Sequence, residues 1–303
     1  MHKPFLLKPI FKDYLWGGQR LINDLHKDTS LNPCAESWEF STHKDGISLC
    51  ASGEHKGLNI KEIFTKHPDY LGKHKNDKGE APILIKIIDA KQDLSVQVHP
   101  SDEYALKNEN SLGKTEVWYL MDSINGKLAV GFNKDTNKEE VLEAINENKI
   151  TNLINYFDVK KDEFYPIEAG TVHAIGGGCL LVEIQENSNL TYRMYDYDRK
   201  DKNGNKRELH IDKCLKVLNY SKYQKPEQSQ LNYDCKYFKL TKCQNEFNIN
   251  TKDNFIVLIN IDGEGVVSSD NESFNVKYGE TVFIPSDCNC TVSGNAKFLK
   301  VEV

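Results

Sequence analysis

Apolar and polar positions along the chain come in short alternating bursts. PILIKIIDA at 82–90, DLSVQVHP at 93–100, EVWYLMD at 116–122, KLAVGF at 127–132 and GCLLVEIQE at 178–186 are rich in branched and aromatic residues. Most are bounded by Gly, Asn, Asp or Pro, which is the pattern of short strands separated by turns. Apolar residues recur at three- and four-residue spacing in NKEEVLEAINENK, 137–149, and in LHIDKCLKVLNY, 209–220, predicting two helices. Many short strands with few helices predict a mostly β chain folded as a barrel or sandwich.

The stretch SKYQKPEQSQLNYD at 221–234 is polar and lacks periodicity, so it is expected to be a linker. Beyond it, FIVLINIDGEGVV at 255–267, VKYGETVFIPSD at 276–287 and KFLKVEV at 297–303 are again strand-like. The division expected is a larger domain at 1–225 and a smaller β-domain at 226–303. The glycines Gly176, Gly177 and Gly178 precede a strand-like CLLVEI and no Lys-Ser/Thr pair follows, so a hairpin turn is expected there and not a phosphate loop.

Composition narrows the function classes. With 303 residues, 39% apolar and 28% charged, the chain has the balance of a globular protein. Its net charge of −6, without a basic stripe, argues against nucleic acid as a partner. MHKPFLLKPIFKDYLW is broken by lysines and prolines, and no run approaches the ~20 apolar residues of a bilayer span. A cytoplasmic location, no membrane partner and eight reduced cysteines are the matching expectations. Cys288 and Cys290, one residue apart, fit one face of a strand better than a zinc ribbon.

Chemistry concentrates in one ordered set. Gln97 and His99 in SVQVHP fall on the same face of a strand. Glu116 opens the next predicted strand, and His173 follows Gly170 in EAGTVHAI, where glycine permits a tight approach. Two imidazoles, a carboxylate and an amide oxygen suit zinc, though iron, manganese or cobalt would also fit.

A QxH, a following Glu and a later GxxH in an all-β chain resemble the two split motifs of the cupin barrel, with Gln97 in place of the first histidine. Asp162 and Glu168 stand where the second motif usually has Gly and Pro. Longer strings, LWGGQRL at 15–21, AESWEFSTH at 35–43, LIKIIDAKQDLSVQVHPSD at 84–102, GKTEVWYL at 113–120 and AGTVHAIGGGCLLVEIQENSNLTYRMYDYDR at 169–199, resemble the short bacterial form of type I mannose-6-phosphate isomerase. The resemblance covers most of 1–220.

That resemblance implies a cupin (jelly-roll) catalytic domain with zinc on Gln97, His99, Glu116 and His173, and a sugar phosphate as substrate. It adds Lys114 and Arg193 as cations that would hold phosphate or steady the charge of an enediolate, with Lys114 a candidate proton carrier. The family often has Asp where this chain has Asn189, which cannot act as a base. Trp16, Glu36 and Trp38 also fall in matched strings, either as packing or as substrate contacts. The tail echoes the second motif in Gly279 and Pro285, but Asp287 stands at the second glycine place and Cys290 at the metal histidine, so a degenerate, metal-free cupin-like β-domain is expected. A metal-dependent carbohydrate-binding cupin and an iron cupin dioxygenase are the alternatives. The oligomeric state is not legible.

Overall fold

Each of the five alternating runs forms a strand, at Ile83–Ala90, Val96–Val98, Glu116–Ser123, Lys127–Phe132 and Cys179–Glu186. The computed structural model describes residues 1–200, 204–228, 232–270 and 272–303. The two helical patterns form Lys138–Asn146 and Ile211–Val217. Asn137 caps the first, its Oδ1 accepting the Glu140 N–H at 2.9 Å and satisfying one otherwise unpaired donor of the first turn.

Two compact units result. One comprises Lys12–Glu36 and Ile88–Gln228, the other Met1–Phe11, Ser37–Ile87 and Ser229–Val303. This differs from the expected boundary near 225, because the tail builds its sheet and core with N-terminal segments. Phe5–Lys8 pairs antiparallel with Thr281–Ile284, and Phe40 stacks on Phe283 at 5.6 Å. The first part of the expected linker is also tied down. The Tyr223 N–H donates to Phe132 O at 3.0 Å, and the Gln228 amide makes two bonds of 2.9 Å to the Phe164 backbone. Residues 229–231 of that linker lie outside the described residues.

In the unit that contains His99 and His173, one antiparallel sheet runs in the order Tyr192–Tyr195, Val96–Val98, His173–Ile175, Lys127–Phe132 and Ile154–Asp158. Glu116–Ser123 pairs with Phe164–Ile167 on one side and Cys179–Glu186 on the other. Inward residues of both sets, among them Trp118, Leu120, Leu128, Val130, Ile175 and Leu181, form one buried cluster. Two sheets with a shared apolar filling are the layered arrangement that alternating strands dictate. Gly176–Gly178 is a turn, as expected, but it joins strands of different sheets and is therefore not a hairpin.

The other unit is also antiparallel β. The expected strand 255–267 is two, Ile256–Asp262 and Gly265–Ser269, and they enter different sheets. Leu258, Val267, Val282, Val292 and Phe298 fill this unit's core, with Cys288 and Cys290 buried among them. All eight cysteines are free thiols. Among the described residues no helix is long and apolar enough to cross a membrane.

Candidate metal centre

Strand register brings the predicted residues together. Val96–Val98 lies between His173–Ile175 and Tyr192–Tyr195, and both His173 and Arg193 stand opposite Gln97. Directly opposed residues share a face with Cβ atoms about 5 Å apart, so Gln97, His173 and Arg193 form one row. His99 follows two residues after Gln97 on that face. Gly170, at φ +91°, donates its N–H to His99 O at 2.9 Å, which pins the turn before His173 to the end of the His99 segment. Glu116 begins the strand paired with Cys179–Glu186.

His99, Glu116 and His173 are buried, and one ligand atom from each falls within 4.8 Å of the others. His99 Nδ1 faces Leu190 O at 2.9 Å and His173 Nδ1 faces Thr171 O at 2.8 Å. A carbonyl only accepts, so both Nδ1 atoms carry the proton and both Nε2 atoms carry lone pairs. Those lone pairs lie 3.1 Å apart and each is 3.6 Å from a Glu116 carboxylate oxygen. The Gln97 amide stands 3.2 Å from His173 Nε2, and turning it over would place its oxygen there. Burial pushes the His173 pKa down to about 4, with the Lys114 charge acting in the same direction. A neutral imidazole is the form that binds metal. Converging lone pairs and a buried carboxylate need a cation between them, so the donor set fits a divalent metal.

Lys114 is buried beside the cluster, its Nζ 2.9 Å from Glu116 Oε2 and 3.7 Å from Glu183 Oε1. Glu183 Oε2 in turn accepts from Trp118 Nε1 at 3.0 Å. Arg193 is clasped by its backbone, where its N–H meets His210 Nδ1 at 3.1 Å and its O accepts the His210 N–H at 2.7 Å. Its Nη1 donates to Glu208 O at 2.9 Å, and its Nε has no acceptor in the protein. Trp16 and Trp38 are both buried, Trp16 within the cluster that holds Trp118.

Several contributors escaped sequence reasoning. The carbonyls of Leu190 and Thr171 fix the two imidazoles, and backbone atoms leave no residue signature. Ser188 supports the Leu190 turn, its Oγ donating to Leu112 O at 3.0 Å and accepting the Leu190 N–H at 3.3 Å. Asn189, the departure from the family pattern, is exposed in this turn. Glu183 lay in a quoted string; its position two residues after Leu181, on the inward face of its strand, was the available signal.

Comparison with known proteins identifies the family to which the chain is related. Residues 5–145 match the model of the phosphomannose isomerase type I catalytic domain, and 230–303 that of the mannose-6-phosphate isomerase cupin domain. The chain is 36% identical over 298 residues to the mannose-6-phosphate isomerase ManA of Bacillus subtilis, covering 93% of each. A crystal structure of mannose 6-phosphate isomerase from Bacillus subtilis superposes with a TM-score of 0.91 at 30% identity over all of both chains. A mannose 6-phosphate isomerase structure bound with zinc and yttrium shares the fold at 17% identity, TM-score 0.77, with 98% of each chain covered.

Proposed function

The chain belongs to the mannose-6-phosphate isomerase family, and on that premise we propose that it interconverts mannose 6-phosphate and fructose 6-phosphate at a zinc ion held by Gln97, His99, Glu116 and His173. The observation that carries the site is the pair of Nε2 lone pairs 3.1 Å apart beside the buried Glu116 carboxylate. Aldose–ketose interconversion moves a proton between C1 and C2 of the open-chain sugar through an enediolate. Zinc bound here supplies Lewis acidity toward the negative charge that develops on the sugar oxygens.

The chain's own groups do the rest. Lys114 carries the proton or stabilises the enediolate, a role supported by its Nζ lying 2.9 Å from the Glu116 carboxylate. Arg193 presents its spare Nε–H on the Gln97 face, where it meets a phosphate or sugar oxygen. Next to it, Asp196 holds Arg207 through bonds of 2.8 and 2.5 Å, which keeps a second guanidinium nearby. This cationic patch in a chain of net charge −6 supports a sugar phosphate as the substrate. Free thiols throughout support a reducing, cytoplasmic setting.

A coupled assay of fructose 6-phosphate formation from mannose 6-phosphate tests the reading. Turnover is expected to vanish on chelation and return with zinc. Full turnover in chelator-stripped protein would sink it.

A further inference from the structure

Arg193 lies on the edge strand of its sheet, Tyr192–Tyr195, whose neighbour is Val96–Val98. In an antiparallel pair alternate residues turn their N–H and C=O away from the partner strand, and on an edge those groups need partners from elsewhere. Arg193 is such a residue, and His210 closes its edge. His210 Nδ1 accepts the Arg193 N–H at 3.1 Å, and the His210 N–H donates to Arg193 O at 2.7 Å. In the same stretch of chain Glu208 O accepts from Arg193 Nη1 at 2.9 Å. Arg193 is thus held both at its peptide groups and at its guanidinium.

The bond to Nδ1 requires one form of the ring. A backbone N–H only donates, so Nδ1 holds a lone pair, and the proton of the neutral ring sits on Nε2, 3.9 Å from Glu208 Oε2. This is the opposite tautomer from His99 and His173, whose Nδ1 atoms donate to carbonyls. Burial pushes the His210 pKa down, and the charges of Arg193 and Lys213 act with it, against Glu208 and Glu109. The ring is therefore neutral at neutral pH and keeps its acceptor.

The helix that follows makes no claim on that acceptor. His210 immediately precedes Ile211–Val217, a place where Ser, Thr, Asp or Asn ordinarily accepts an N–H of the first turn. Among the described residues the His210 side chain makes no such capping bond. Its acceptor goes to Arg193 instead.

We infer that His210 is a positioning residue for the isomerase reaction: by accepting the Arg193 N–H it fixes the strand edge from which the Arg193 guanidinium meets the substrate. It is not itself a reacting group and acts through Arg193. The inference rests on the role proposed above for Arg193.

Ring shape and acceptor are separable by substitution. His210→Phe keeps a ring and loses the acceptor, whereas His210→Asn loses the ring and offers an amide oxygen near the place of Nδ1. A misplacement of about 1 Å in a substrate-positioning group can cost ~100-fold, so kcat/KM for mannose 6-phosphate should fall at least about tenfold in His210→Phe and stay within about threefold of wild type in His210→Asn. Zinc affinity, read by chelator competition, should be unchanged in both. In an Arg193→Ala background His210→Phe should add less than about a twofold loss, because the two residues act as one unit. The tautomer is read without any turnover, since long-range proton–nitrogen NMR correlations should place the His210 proton on Nε2 at neutral pH. Wild-type kinetics in His210→Phe overturn the inference, as does a loss in His210→Asn as large as in His210→Phe. So does weakened zinc binding, a larger added loss on Arg193→Ala, or a proton on His210 Nδ1. A wild type without isomerase activity overturns the reading on which the inference rests, and the inference with it.

Discussion

His99 Nε2 and His173 Nε2 face each other at 3.1 Å although neither can donate to the other, because each ring spends its only proton on a carbonyl through Nδ1. This arrangement costs free energy unless a cation sits between the two lone pairs. Metal removal should therefore lower thermal stability as well as activity, since a ligand bound only by the folded state at 1,000 times its dissociation constant contributes about 4 kcal/mol. Differential scanning fluorimetry with chelator and with added zinc reads this out. An unchanged melting temperature would show that the cluster holds no ion in solution.

The carbonyl that orients His99 depends on a side chain. Ser188 is buried, and its hydroxyl bridges Leu112 O and the Leu190 N–H, so Ser188→Ala should loosen the turn that carries Leu190 O. Outer groups that fix a ligand imidazole are worth roughly 10–100-fold in metal affinity. A competition titration with a chromophoric chelator should show a loss of that order, with the apo fold intact by circular dichroism.

For Arg193, shape and charge can be separated. Arg193→Ala should impair turnover or weaken substrate binding with the fold intact, and Arg193→Lys should recover only part, because a point charge cannot reproduce the spare Nε–H of a guanidinium whose Nη1 is already given to Glu208 O. Steady-state kinetics with mannose 6-phosphate decide. Unchanged constants in the alanine variant remove Arg193 from the site.

How much of this was legible follows from where the information lies. The row of Gln97, His173 and Arg193 is set by strand register, yet the alternation in SVQVHP and the position of His173 after Gly170 were enough to nominate the residues. Lys114 and Arg193 came from matched strings, since no local rule marks a lysine two residues before a glutamate. The division into units was not legible, because the pairing of Phe5 with Phe283 links residues at opposite ends of the chain and nothing in either segment names its partner. The turn at Gly176–Gly178 was visible as a turn, but which sheet receives each flanking strand depends on pairing at a distance. Likewise, the Leu190 and Thr171 carbonyls are common to every residue type, so the tautomers of the two histidines could only be read from three dimensions.

Glu186 gives the chain a pH dependence of its own. Burial pushes its pKa up to about 8, and a hydrogen bond with Asp102 acts in the same direction, against the Thr115 N–H, which donates to Glu186 at 2.7 Å and favours the anion. The sign follows from linkage. A carboxyl whose folded pKa lies above its unfolded value, near 4.3, prefers the protonated form when folded, so its contribution is fully present below about pH 4 and is lost as pH rises toward 8. The loss is on the order of 3 kcal/mol after discounting for partial solvation. Glu186→Gln keeps the neutral form at all pH values and removes this dependence. Urea unfolding at pH 5 and pH 8.5 should show the variant gaining stability relative to wild type at the higher pH by an amount of that order, and parallel pH profiles for the two proteins would mean that Glu186 is ionised throughout.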